Sequence, residues 1–221
     1  MTEPSLPQTR APDLAAAREA VDRLMEAHGL DVYRYCVAML GPEGAAAMLP
    51  TIFGHLQEHA AEHELRLERL VALAVAHNRC IERSRTGGRP PSGQGLEAEV
   101  AKVMRAVGHL KPVGRDAMLL RSVLDLRWPE LERVCGVPTA RMLERLCRGW
   151  RNAGEVIAGR TAGLTGRPAG KRLGPTDEAW AAIRDDARRF VALRQTLREV
   201  TRSYAPPAGW LGQVWQRLEE E

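Results

Sequence analysis

Hydrophobic positions recur along this chain at steps of three and four residues, and no segment of useful length alternates with period two. Over 12–28, Leu14, Ala17, Val21, Leu24 and Met25 share one helical face, and Gly29 is placed to end that helix. Val32, Tyr33, Cys36, Val37 and Leu40 repeat the pattern as far as Gly41-Pro42. A third helix is predicted from Glu43 towards Glu62, with Pro50 kinking it or starting it afresh. A fourth runs from Leu65 to Arg85, with Leu67, Leu70, Val71, Ala74, Val75, Asn78 and Ile81 on its apolar face. Further helices are predicted over Leu96–Leu110, 113–124, 127–134 and 138–153. Strong helix formers (Ala, Leu, Arg, Glu) dominate, so the expected fold class is all-α.

Helix breakers divide the chain. TGGRPPSGQG at 86–95 and the Gly- and Pro-rich stretch that spans 158–175 read as linkers, the second of them basic. The predicted organisation is a flexible N-terminus over 1–11, a four-helix domain over 12–85 and a second helical domain over 96–157. A C-terminal helical extension over 176–221 completes it.

The second domain carries the clearest motif. Asp125 to Pro138 supplies a short helix, a turn glycine (Gly136) and an apolar residue after it (Val137), and a longer arginine-rich helix follows. That is the layout of a helix-turn-helix, closed by Leu131, Val134, Val137, Met142 and Leu146. Arg141, Arg145 and Arg148 lie at i, i+4 and i+7, with Arg151 beyond, so one face presents guanidinium groups able to meet phosphates or base edges in a major groove. The same arginines would equally suit a solvated helix face.

In order and spacing, Leu110–Arg115, Ala117–Arg121, Asp125–Pro138 and Arg141–Arg151 are similar to the promoter −35-binding domain of the extracytoplasmic-function bacterial sigma factors. Ala76-His-Asn-Arg-Cys-Ile-Glu-Arg-Ser-Arg85 resembles the end of that family's −10-binding helix, and Tyr33–Gly41 resembles its second helix. The resemblance covers roughly residues 15–153, and the 86–95 linker falls where the family places its interdomain connection. It implies a region 2-like domain joined to a region 4-like helix-turn-helix domain, with promoter DNA and bacterial core RNA polymerase as partners. An anti-sigma factor or another regulatory protein is a further partner of the kind the family uses. It also implies that Asn78, Arg79, Arg83 and Arg85 lie near the melted DNA and that Arg141, Arg145 and Arg148 contact the −35 element. Arg115 and Arg121 would support backbone contacts. By the same resemblance, Leu49 and Phe53 would sit in the segment that docks on the polymerase.

The chain departs from the family there. Within Ala45–Phe53 the family carries an acid at the position of Ala47 and a glutamine at that of Pro50, and both polar groups are missing. The tryptophan that opens the −10 helix is replaced near Val71, and Leu143 and Glu144 stand where the recognition helix is usually basic and small. A second reading follows: a degenerate sigma-like protein that no longer docks on polymerase and acts as a protein-interaction or regulatory module.

The C-terminal part would serve such a module. Trp180 and Phe190 belong to one amphipathic helix and Trp210 and Trp215 to another, and three of the five tryptophans lie here. They either pack back on the preceding domains or dock another protein or a second copy. His55, His59 and His63 are four residues apart, a spacing able to bind Zn2+ or Cu2+, but with Glu58 and Glu62 among them a solvated helix end is the preferred reading. No nucleophile elbow, HExxH or glycine-rich loop after a strand occurs, so neither enzymatic activity nor a cofactor is expected.

Charge gains meaning only locally. The whole chain carries +4, yet Thr139 to Arg172 holds eight basic and two acidic residues, a larger excess placed on the arginine helix and the linker after it. Cys36, Cys80, Cys135 and Cys147 have no CxxC spacing and are expected to be free, mostly buried thiols. No apolar run is read as approaching the roughly 20 residues of a membrane span, and the opening residues lack a signal-peptide core. The expectation is a cytoplasmic protein with no membrane insertion.

Overall fold

A computed structural model describes residues 14–63, 67–86, 98–157 and 191–220. Every regular element among the described residues is an α-helix. In chain order they are α1 (Leu14–His63), α2 (Arg69–Arg85), α3 (Ala98–Gly108), α4 (Pro112–Ser122), α5 (Trp128–Cys135), α6 (Thr139–Ile157), α7 (Val191–Ser203) and α8 (Trp210–Glu220). Trp180, Phe190 and both predicted linkers, apart from Thr86, lie outside the described residues.

α1 is two helices meeting at a break. Gly41 takes φ 78° and ψ 170°, outside helical space and in the left-handed half that glycine enters freely. Pro42 then opens the second half, where its fixed φ suits a first helical residue. The halves fold back on each other, because the Gln57 amide donates to the Leu14 carbonyl at 3.2 Å. An unbroken helix would hold those residues about 65 Å apart at 1.5 Å per residue.

Gly29 does not end a helix as expected; it is buried inside α1. A Cβ at this position would lie 3.0 Å from Cζ2 of Trp210, so the missing side chain makes room for an indole from α8. On α2 the buried residues are Ala72, Leu73, Ala76, His77, Cys80 and Ile81. The expected stripe of Leu70, Val71, Ala74, Val75 and Asn78 is instead turned into a groove against α1 and α5. Of the two stripes, the one holding Ala72 and Ala76 permits the closer helix approach, which periodicity alone does not reveal.

Buried residues from all four described stretches form one contiguous cluster, with Tyr35, Phe53, Met104, Met118 and Leu120 among its most enclosed members. α1 packs on α2, α4, α7 and α8, and α6 packs on α3, α4 and α5. α7 is clipped to the body by polar contacts midway along it and at its C-terminal end. Arg198 donates to the Ser122 carbonyl and to Asp125, which itself takes a positive φ of 55°. Arg34 donates to the Arg202 and Tyr204 carbonyls at 2.6 and 3.2 Å, satisfying the C-terminal end of α7.

The expectation that no segment reaches membrane-span length is corrected by α1. An 18-residue window within Leu14–Ala61 has a mean hydropathy of 1.4, sufficient by length and composition to cross a bilayer. The apolar stretch is divided by the Gly41 fold-back, and 61% of the window is buried inside the protein.

Candidate nucleic-acid interface

Where the helix-turn-helix is expected, two helices, α5 and α6, are joined by a turn at Gly136. Pro129 lies in the first turn of α5, and Glu130 accepts the Arg127 backbone N–H at 2.6 Å, holding its carboxyl below the usual range. Gly136 ends α5 with φ 61° and ψ 25°, a left-handed cap. Glu132 then reaches over the turn and accepts both the backbone N–H and the hydroxyl of Thr139, tying the start of α6 to α5. These two bonds lower the Glu132 pKa.

At about 100° per residue, α6 divides sharply. Met142, Leu143, Leu146, Cys147, Trp150 and Ala153 are buried on one side. Arg141, Arg148 and Arg151 are exposed on the other, with Arg145 half-buried beside them. Arg148 pairs with Glu144 at 2.5 Å one turn earlier, with side chains 54% and 45% exposed, so water screens the contact. α6 makes its main contacts with α3, α4 and α5, and neither α7 nor α8 is among its main neighbours within the described residues.

Arg115 and Arg121 do not belong to that surface. Arg115 is 3% exposed, and its guanidinium reaches the Gly108 carbonyl and the Ser84 hydroxyl at 3.5 and 3.3 Å. Burial lowers its pKa, an effect opposed by Tyr35, Cys80 and Asp116. Arg121 donates to the Leu126 carbonyl at 3.1 Å and stacks over Trp128 at 5.5 Å. Burial, then repulsion from Arg194 and Arg198, lowers its pKa. Both were expected to support DNA backbone contacts; both are engaged within the protein.

The α2 residues divide. Asn78, Arg83 and Arg85 are exposed, while Arg79 is half-buried and pairs with Glu82 at 2.9 Å. Asn78 and Arg79 line the groove with His55, His59, Val71 and Arg133, the last contributed by α5. The short helix of the helix-turn-helix therefore lies against the face expected to read the −10 element. The helix holding His55, His59 and His63 is continuous, but the His63 side chain lies outside the described set. His55 bonds to Glu58 at 3.1 Å.

Of the residues expected to meet partners, Leu49, Phe53, Trp210 and Trp215 are described, and Phe53 touches both tryptophans. Leu49 and Phe53 are buried, and Phe53 stacks edge-on against Trp215 at 5.2 Å and Trp210 at 6.0 Å. The Trp215 indole donates to Asp22 at 2.5 Å beneath the Arg18 guanidinium, which is 4.7 Å from the ring and also pairs with Glu219 at 2.6 Å. α8 is thus seated on the second half of α1, at Ala46, Phe53 and Gly54.

Pro50 shows how closely the two are matched. Proline has no N–H, so the carbonyl four residues earlier, on Ala46, loses its helical donor. That carbonyl accepts from Arg217 of α8 at 3.2 Å.

A buried polar network was missed in the sequence. Asp116 is fully enclosed; its Oδ1 accepts the Tyr35 hydroxyl at 2.5 Å and lies 2.9 Å from His77 Nδ1. Its Oδ2 faces the Cys135 thiol at 3.9 Å. Burial, then the Asp116 charge, raises the pKa of the Tyr35 phenol. The only sequence hint was an acid directly before the apolar run Ala117-Met118-Leu119-Leu120. All four cysteines are free, as expected, and Cys36 and Cys80 lie with sulfurs 3.7 Å apart. Comparisons with protein-family models, curated proteins and solved structures return no match.

Proposed function

We propose that this chain is a sigma-like transcription protein, acting in the cytoplasm, that binds duplex promoter DNA through α6 and works with core RNA polymerase. The observation that carries the reading is the arginine face of α6, opposite a fully buried apolar face and presented by a capped helix-turn-helix. Arg141 and Arg148 are the exposed contacts, and Arg145 approaches from the edge. Each phosphate contact releases counterions, so affinity for duplex DNA falls steeply as salt rises. Fluorescence anisotropy with promoter fragments at several salt concentrations tests this. Replacing Arg145 and Arg148 with Ala lowers both affinity and the salt slope, by close to two phosphate contacts. Unchanged affinity and slope in that variant would sink the reading.

The seating of α8 on Ala46, Phe53 and Gly54 favours a second reading, a regulatory module whose docking segment is turned inward. Run-off transcription and pull-down with purified core polymerase separate the two. A promoter-dependent transcript supports the first. Duplex binding without polymerase retention or transcript supports the second.

A further inference from the structure

His77, Asp116 and Cys135 come from α2, α4 and α5, three helices far apart in sequence. Their ligand atoms all lie within 4.8 Å of one another. His77 and Asp116 are buried, and Cys135, the last residue of α5, is half-buried. The carboxylate is unevenly served. Oδ1 has both the Tyr35 hydroxyl and His77, whereas Oδ2 has only a thiol at 3.9 Å among the described residues. A thiol is a weak donor, so this enclosed carboxylate oxygen keeps little compensation for its lost hydration.

We propose that His77, Asp116 and Cys135 form a binding site for a thiophilic divalent cation of the Zn2+ class. One imidazole nitrogen, one carboxylate oxygen and one sulfur is a donor set that Zn2+ takes and that Mg2+ or Ca2+, which want oxygen alone, do not. Zn–N and Zn–O bonds of about 2.0–2.1 Å and a Zn–S bond of about 2.3 Å place tetrahedral donors roughly 3.3–3.7 Å apart. His77 Nδ1 lies 2.9 Å from Oδ1 and the Cys135 sulfur 3.9 Å from Oδ2, and with all three ligand atoms within 4.8 Å of one another, side-chain adjustment can bring the nitrogen, one carboxylate oxygen and the sulfur to those separations. On binding, the Cys135 proton leaves to solvent; thiolate and carboxylate then balance the two positive charges, so the occupied site is neutral where carboxylate and thiol alone carried one negative charge. Water or the Tyr35 hydroxyl takes the fourth position.

The ion would join α2 to the helix-turn-helix at the residue immediately before the Gly136 turn, fixing how that unit sits on the N-terminal helices. The proposal rests on these three side chains and not on the DNA-binding reading.

The reduced full-length chain, stripped with chelator, is titrated with Co2+ and then competed with Zn2+. The expected result is one equivalent of tetrahedral Co2+, with visible d–d bands and a near-ultraviolet thiolate-to-cobalt band that Zn2+ abolishes. Cys135→Ser loses the thiolate band; Cys80→Ser and Cys147→Ser keep it. Zn2+ affinity in Cys135→Ser falls by more than the roughly 10–100-fold typical of removing an outer-shell partner. Absence of the band in the unaltered chain, or its survival in Cys135→Ser, overturns the proposal. If Cys135→Ser loses its helical circular dichroism, Asp116→Asn carries the test, and unchanged Co2+ affinity there overturns it equally.

Discussion

Arg217 and Pro50 make a prediction that few other contacts in the protein allow, because one partner is a carbonyl exposed by a missing N–H. Within α1 the proline ring leaves the Ala46 carbonyl without its helical donor, and the Arg217 guanidinium supplies one at 3.2 Å. Hydrogen bonds to charged groups contribute about 1.5–3 kcal/mol. Arg217 is exposed, which reduces the expected value to about 1 kcal/mol. Arg217→Met keeps the aliphatic stem and removes the donor. It should lower Tm by about 2–4 °C in a chain of this size. In a Pro50→Ala background, residue 50 regains its N–H, Ala46 recovers its helical bond, and the same Arg217→Met change should cost close to nothing. The intrinsic effect of replacing proline cancels in the cycle, leaving a coupling of about 1 kcal/mol. Urea unfolding followed by tryptophan fluorescence reads it, and amide exchange over 210–220 shows whether the loss is local to α8. Equal losses in both backgrounds, within about 0.3–0.5 kcal/mol, would refute the pairing.

Phe53→Ala, at a fully buried ring touching two indoles, should destabilise by about 3–5 kcal/mol in urea unfolding. Gly136→Ala meets no neighbouring atom within 4 Å, so its cost is the backbone strain of a left-handed residue, about 1–2 kcal/mol; a stability unchanged from the parent would contradict the cap geometry. Glu144→Gln releases Arg148 from its ion pair and should raise duplex DNA affinity, most visibly at low salt. Glu132 has a pKa below its ordinary 4.5, so its bonds to Thr139 stabilise the turn at pH values above 4.5. That contribution is lost as pH falls through the lowered value. Glu132→Gln should flatten the acid limb of thermal stability, and an unaltered acid limb would show that the Thr139 contact does not set it.

The helices were largely legible in the chain because their signals are local. Turns of three and four residues place apolar side chains on one stripe whatever they later meet, and α3 to α6 fall close to their predicted positions. The Gly136 turn and the arginine face of α6 were equally visible, since both depend on residues within one or two helical turns. What those stripes would touch was not written locally. Gly29 reads as a helix stop until an indole from the far end of the chain fills the space beside it. Arg115 and Arg121 carry the same side chain as Arg141, yet packing draws the first pair into the protein and leaves the third in water.

Sequence alone therefore determined an all-α chain in which two helices meet at the Gly136 turn and the second carries arginines along one face, features set by neighbours along the backbone. Tertiary structure alone decided that α8 covers the Pro50 segment, that Arg217 meets the Ala46 carbonyl, and that His77, Asp116 and Cys135 converge. Burial and donor geometry are properties of approach between distant segments. Helical periodicity orients each surface but does not choose its partner.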